Sequence, residues 1–284
     1  MPLITLLAPL LLAQVGPFPG TTKLPEGVAQ DRPGRRVPRI EAQPLVLPQP
    51  QHSRLQSCLD DAAREPALAV DSARAWLAAS PGSASAEPQL CLGTALTGLA
   101  QWPEAEEAFL AGRNAVGASD PALRARLGGM AGNAALTLGA AERALGQLDA
   151  AHADAVKAGD TGLAGSIALD RGRALVALKR TDEAVAALTE ARTANPSDAT
   201  AWLLSATLSR RLNRLDEAQR QIESAATLAP DDPEIGLEAG VIAMLSGRED
   251  AARKSWASVI AMAPNSPEAR TAQSYFDQLG SPAK

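Results

Sequence analysis

Aromatic side chains are scarce in this chain: four Trp, three Phe and one Tyr among 284 residues, about 3% of the total. A core with so few rings must reach native density through small side chains. The 46% apolar content does come largely from alanine, as close packing of helices requires. Histidine is scarcer still. His52 and His152 have no Cys, His or acidic neighbour at metal-ligand spacing, and both read as surface residues. No G-x4-G-K-[ST] loop and no G-x-S-x-G turn occurs, and Gly159, Gly162 and Gly165 follow no strand that a dinucleotide site would need. The acidic pairs Glu106-Glu107 and Asp231-Asp232 read as solvated first-turn or loop charges. No segment alternates polar with β-branched residues, so no strand is expected and the class is all-α. A net charge of −5 makes no electrostatic case for nucleic acid as a partner. Nothing marks the chain as an enzyme, and no cofactor is implied.

What is present is a period. Pro196, Pro230 and Pro264 lie 34 residues apart, and each closes the same pattern of small and large apolar residues. Ala184, Leu188 and Ala191 recur as Ala218, Ile222 and Ala225, then as Ala252, Trp256 and Val259. Spacings of four and three put each trio on one helix face. Twelve residues upstream sit Gly172, Ala206 and Gly240, and the same offset links Gly132 to Ala144 and Gly93 to Ala105. Two helices of a hairpin approach closely only where the crossing residue is Gly or Ala. A strict period of this size means stacked supersecondary units that bury a continuous core together.

These positions resemble the tetratricopeptide repeat, with its W-x2-L-G-x2-Y, A-x3-F-x2-A and closing P pattern. Trp202 matches the first aromatic, Leu92-Gly93 the Leu-Gly pair, and Ala105-x3-Phe109 the Ala-Phe pair. The resemblance implies a right-handed α-solenoid of about six helix-turn-helix repeats over 52–266, near 50–85, 86–124, 125–164, 165–198, 199–232 and 233–266. A C-terminal capping helix over 267–280 would follow. The second and third units are stretched at Gly117–Pro121 and Lys157–Thr161, and the first keeps only Ala69, Ala73, Trp76 and Pro81. Acids open the second helices at Glu104, Glu142, Asp182-Glu183, Asp216-Glu217 and Glu249-Asp250, where they complement the helix dipole. Ser246-x-x-Glu249 has capping-box spacing, and Gly117, Gly139, Asn213 and Gly247 punctuate turns. Trp76, Trp202 and Trp256 are expected to face a partner helix, and Trp102 to sit in a turn.

The N-terminus reads differently. Leu3–Ala13 has the length of a signal-peptide core and is too short to span a bilayer. Residues 1–13 are therefore expected to be removed near Gln14, exporting the protein to the periplasm, although nothing basic precedes the run. Residues 14–51 hold eight prolines and the cluster Arg32, Arg35, Arg36 and Arg39. They read as a disordered linker, either a plain spacer or an arm touching anionic lipid or glycan. No membrane span is expected elsewhere.

In this family the first helices form the concave wall that holds a partner segment. In that register the wall carries Leu90, Thr94 and Thr97, then Arg126 and Asn133. Leu169, Arg173 and Val176 follow, then Leu203, Thr207, Arg210 and Arg211, and finally Leu237, Val241 and Met244. The family's clamp for acidic tails is not carried over, because Gly129 and Asp170 stand where its residues would be needed. Cys58 and Cys91 fall on the first helices of the first two units. They would be small buried hydrophobes in the cytosol, or a disulfide after export. The expected function is a non-catalytic scaffold or assembly factor of the cell envelope that binds another protein or peptide segment. A glycan- or peptidoglycan-binding groove and an uncleaved cytoplasmic adaptor are the alternatives.

Overall fold

Thirteen α-helices and one short 3-10 segment (Gly82–Ser85) build residues 53–280, the residues that the computed structural model describes. The expected signal segment 1–13 and proline-rich stretch 14–51 lie outside the described residues. In chain order the helices are α1 (Arg54–Arg64), α2 (Pro66–Ala78), α3 (Ala86–Gly98), α4 (Trp102–Ala115), α5 (Pro121–Thr137), α6 (Ala141–Ala158) and α7 (Thr161–Ala177). Then come α8 (Thr181–Ala194), α9 (Ala199–Arg211), α10 (Leu215–Leu228), α11 (Pro233–Leu245), α12 (Glu249–Met262) and α13 (Pro267–Leu279). Each helix packs on the next, as six antiparallel pairs closed by α13. Among the described residues there is no strand, and no helix is long and apolar enough to cross a membrane.

Two kinds of chain reversal alternate, each with its own chemistry. Leaving a first helix, the chain enters a left-handed residue: Ala100, Gly139, Lys179, Asn213 or Gly247, all with φ between 56° and 73°. The following amide donates back five residues, as from Arg180 N to Leu175 O at 2.9 Å. This double closure of the last turn is the Schellman arrangement. Entering a first helix, the chain instead uses a side-chain cap. Asp120 accepts from Leu123 N (3.0 Å), Asp160 from Leu163 N (2.9 Å), Asp198 from Thr200 N (2.9 Å) and Asp232 from Glu234 N (2.8 Å). Each such cap stabilises its helix by ~1 kcal/mol. The second helices after α2 have no side-chain cap and rely on first-turn acids. Ser246 accordingly does not cap α12. Its hydroxyl donates to Ile242 O at 2.8 Å, because the left-handed turn at Gly247 points it back along α11.

The small crossing positions are where the pairs touch. A Cβ on Gly132 would stand 2.5 Å from Leu148 Cγ, and one on Gly172 would stand 2.6 Å from Leu188 Cδ2. Gly93 meets Phe109 and Gly240 meets Trp256 in the same way, and Ala206 is fully buried in one cluster with Ile222. Two expected repeat limits need moving. Residues 125 and 165 fall inside α5 and α7, and the pairs begin at Pro121 and Thr161. The extra length of the third unit lies in longer helices, α5 with 17 residues and α6 with 18, not in stretched turns. Lys157 is therefore helical, and the unit ends at Gly159, which carries a left-handed φ of 71°.

Polar groups also tie the pairs together. Glu106 is buried, not solvated: Arg143 grips both carboxylate oxygens at 2.8 and 3.1 Å, and Gln147 adds a bond of 2.7 Å. Arg113 and Arg124 converge on Asp154. His152 is half-buried and its Nε2 lies 2.6 Å from Glu190. At the start of the array Cys58 of α1 and Cys91 of α3 form a disulfide with Cα atoms 6.0 Å apart. Trp76 and Trp256 are buried in the core. Trp202 is only half-buried, donates from Nε1 to Pro196 O at 2.9 Å and carries Arg192 over its ring. Trp102 opens α4 rather than lying in the turn.

Candidate functional site

The first helices present a wall whose polar residues are largely paired with one another. Asn133 Nδ2 of α5 donates to Asp170 Oδ2 of α7 at 3.2 Å, and Arg173 Nη1 bonds the other oxygen at 2.5 Å. Burial pushes the Asp170 carboxyl above its ordinary range, with Arg173 opposing that shift. Farther along, Arg210 of α9 grips Glu238 of α11 through two bonds of 2.6 and 3.2 Å. Glu234, at the start of α11, is also held above the usual carboxylate range. Burial is the main cause, the charges of Asp232 and Glu268 add to it, and Arg173 opposes. Asp170 and Glu238 occupy equivalent places two periods apart, so one register position ties neighbouring first helices on both sides.

Between those ties the register position holds Leu204, and the tie is missing. Helix α5 packs on α7, α9 on α11 and α11 on α13, whereas α7 and α9, like α3 and α5, barely touch. The gap is a slot of about 180 Å³. Its floor is Val176 of α7, Leu188 of α8, and Leu204 and Leu208 of α9; Arg173, Thr207 and Arg211 stand around them. Gly172 lets Leu188 reach the slot from the second helix, since a side chain there would overlap it. Arg211 is exposed and has no acidic partner among the described residues, unlike Arg173 and Arg210.

The expected wall residues therefore separate into three groups. Arg173, Val176, Thr207 and Arg211 meet at the slot. Asn133 and Arg210 form the ties beside it, and Arg126 is exposed on α5. Thr94 and Thr97 stand apart from these groups, half-buried on α3 with their hydroxyls donating to Leu90 O and Gly93 O, and the other six are corrections. Leu90, Leu169 and Leu203 are buried in the core at 2%, 7% and 4% exposure, because a first helix is covered by its own partner and by the preceding pair. Leu237, Val241 and Met244 are half-buried against the cluster that Ala269 and Ala272 of α13 complete. The apolar end of the wall is thus mostly the seat of the last helix. Leu204 was missed; it stands midway between Asp170 and Glu238, 34 residues from each.

A roomier depression of about 550 Å³ lies among the end of α6, the start of α7 and α8. Its acids are already engaged: Asp160 caps α7, and Glu190 bonds His152. No aromatic side chain lines the slot. Among the described residues no group of His, Cys, Asp and Glu is arranged to hold a metal ion.

Residues 169–233 and 205–269 match the tetratricopeptide repeat family model. No curated protein matches the chain. The fold is similar to that of PilF from Pseudomonas aeruginosa, at 17% identity and a TM-score of 0.65, covering 78% of this chain and 96% of that one. It is similar also to BtubC from P. vanneervenii, at 15% identity and a TM-score of 0.57, covering 82% and 95%. YrrB, described as a TPR protein with an unusual peptide-binding site, aligns at 19% identity and a TM-score of 0.50, covering 66% and 91%. At these identities the likeness is one of fold.

Proposed function

We propose that this protein, whose solenoid carries tetratricopeptide repeats, is a non-catalytic scaffold or assembly factor of the cell envelope that binds a partner segment on its first-helix wall. The observation that carries the reading is the α7–α9 slot, an apolar floor left open between two closed ties, with Arg211, which has no acidic partner among the described residues, beside it. The binding of a peptide by the similarly folded YrrB is compatible with such a use. Export is supported by the disulfide, since such bonds persist in oxidising compartments, and by the Leu3–Ala13 run. The glycan reading gains nothing from a slot without rings, because sugars favour aromatic platforms.

The test is site-specific photo-crosslinking in the native host. A crosslinker at Asn133 or Thr207 should trap a discrete partner, while one at Ala186 of α8 or Glu223 of α10, both exposed, should not. Equal trapping from all four positions would remove the wall from the reading. Sequencing the N-terminus of the mature protein decides export: a start near Gln14 agrees with it, and an intact Met1 in the folded pool ends it.

A further inference from the structure

We propose that the α7–α9 slot takes one branched aliphatic side chain of an extended partner segment, with a carboxylate beside that side chain pairing with Arg211. This rests on the wall being the binding surface, and it states which segment chemistry the wall selects.

Size sets the first limit. Apolar cavities of roughly 150 Å³ admit a benzene-sized group, so about 180 Å³ holds a single side chain and not a helix. The floor of Val176, Leu188, Leu204 and Leu208 offers no buried polar group that a polar side chain would need. Charge sets the second limit. Asp170 offsets Arg173, and Glu238 offsets Arg210, which leaves Arg211 as the unneutralised charge at the slot. Direction follows from the acids. Asp198 and Glu234 stand at the starts of α9 and α11, and Arg211 ends α9. A carboxylate is repelled at one end of the wall and attracted at the other. An extended segment therefore binds with its acid toward the end of α9, and a basic segment is excluded from that position.

The measurement is fluorescence anisotropy with labelled Gly-Ser peptides carrying a central Leu-Glu-Glu, Ser-Glu-Glu or Leu-Lys-Lys, added to the full, disulfide-intact chain. The Leu-Glu-Glu peptide should bind, and replacing its leucine by serine should weaken binding about tenfold or more. Thr207→Trp, which fills the slot, and Arg211→Glu should each weaken it by a similar factor. The Leu-Lys-Lys peptide should fail on the unaltered protein and recover on Arg211→Glu. That recovery requires a folded variant, so misfolding cannot imitate it. Affinity indifferent to both substitutions overturns the proposal, as does equal binding of the lysine peptide by the unaltered protein, or no binding of any peptide at millimolar protein. If a partner still crosslinks at Asn133 in those cases, the slot is wrong and the wall stands. If that crosslink is absent too, both fall.

Discussion

Lys179 sits where the turn geometry calls for glycine, and replacing it should stabilise the protein. Its φ is 59°, and the equivalent Gly139 and Gly247 have φ of 71° and 73°. A non-glycine residue held in the left-handed region costs about 1–2 kcal/mol. Glycine returns part of this, about 0.4–1 kcal/mol, through the greater freedom of the unfolded chain. Lys179→Gly should therefore gain about 0.5–1 kcal/mol, or ~1–4 °C in Tm if the array melts as a unit. Lys179→Ala removes the charge but keeps the strained backbone, so it should be nearly neutral. Lys157→Gly, one residue from the end of α6, should lose up to ~1 kcal/mol of helix propensity. Gly139→Ala should also destabilise. Repeat arrays do not always unfold in one step, so thermal melting should be paired with hydrogen exchange at Arg180, whose amide closes the α7 turn. Slower exchange there and a higher Tm for Lys179→Gly are expected. If Lys179→Gly instead lost stability as Lys157→Gly does, residue 179 would be helical and the turn wrongly placed.

Ala206→Leu should cost ~1–3 kcal/mol by overpacking the α9–α10 crossing, read by urea unfolding beside the exposed control Ala186→Leu. Asp170 has its pKa raised in the fold above 3.8, so the native state holds its proton more readily than the unfolded chain. Its ionisation thus erodes stability as pH rises from 3.8 through the folded value, and the cost persists at neutral pH. Asp170→Asn cannot ionise, so its stability should fall less than that of the unaltered protein as pH rises from 3.8 through the folded value, with the two curves running parallel below 3.8; parallel curves at every pH would refute the burial account. Reducing the Cys58–Cys91 bond opens a loop of 33 residues' separation, for which chain entropy predicts a loss of roughly 3–4 kcal/mol at most. Limited proteolysis of the reduced protein should then cut first in α1 or α2 and spare the block from α3 onward.

The repeating architecture was legible because it rests on local sterics repeated at helical spacing. Gly172, Ala206 and Gly240 must be small wherever two helices cross, and Leu188, Ile222 and Trp256 must be large to fill the space beside them. Those demands recur every 34 residues over the last three pairs. Where the closing proline is absent, as before α5 and α7, the limits drifted by four residues, because nothing local marks the end of a helix that simply runs longer. The left-handed turns were visible at Gly139, Asn213 and Gly247 but not at Ala100 and Lys179, whose residue types carry no turn signal.

What only the tertiary structure decided is which side chains from different pairs meet. Asn133 reaches Asp170 across 37 residues, Arg210 reaches Glu238 across 28, and Gln147 reaches Glu106 across 41. None of these partners shares a helix, so no spacing along the chain could pair them. Leu169 and Leu203 share a face with wall residues by periodicity, yet a first helix flanked by two neighbours buries a wider stripe than the period implies. The slot belongs to the same class. It exists because Leu204 is apolar where Asp170 and Glu238 make ties, Gly172 uncovers Leu188, and α7 and α9 stand apart at that step. Sequence by itself determined the repeat and the faces that must be small, since those are constraints within one hairpin. Where the stack stays open was decided by contacts between hairpins, which depend on how each pair leans on the next.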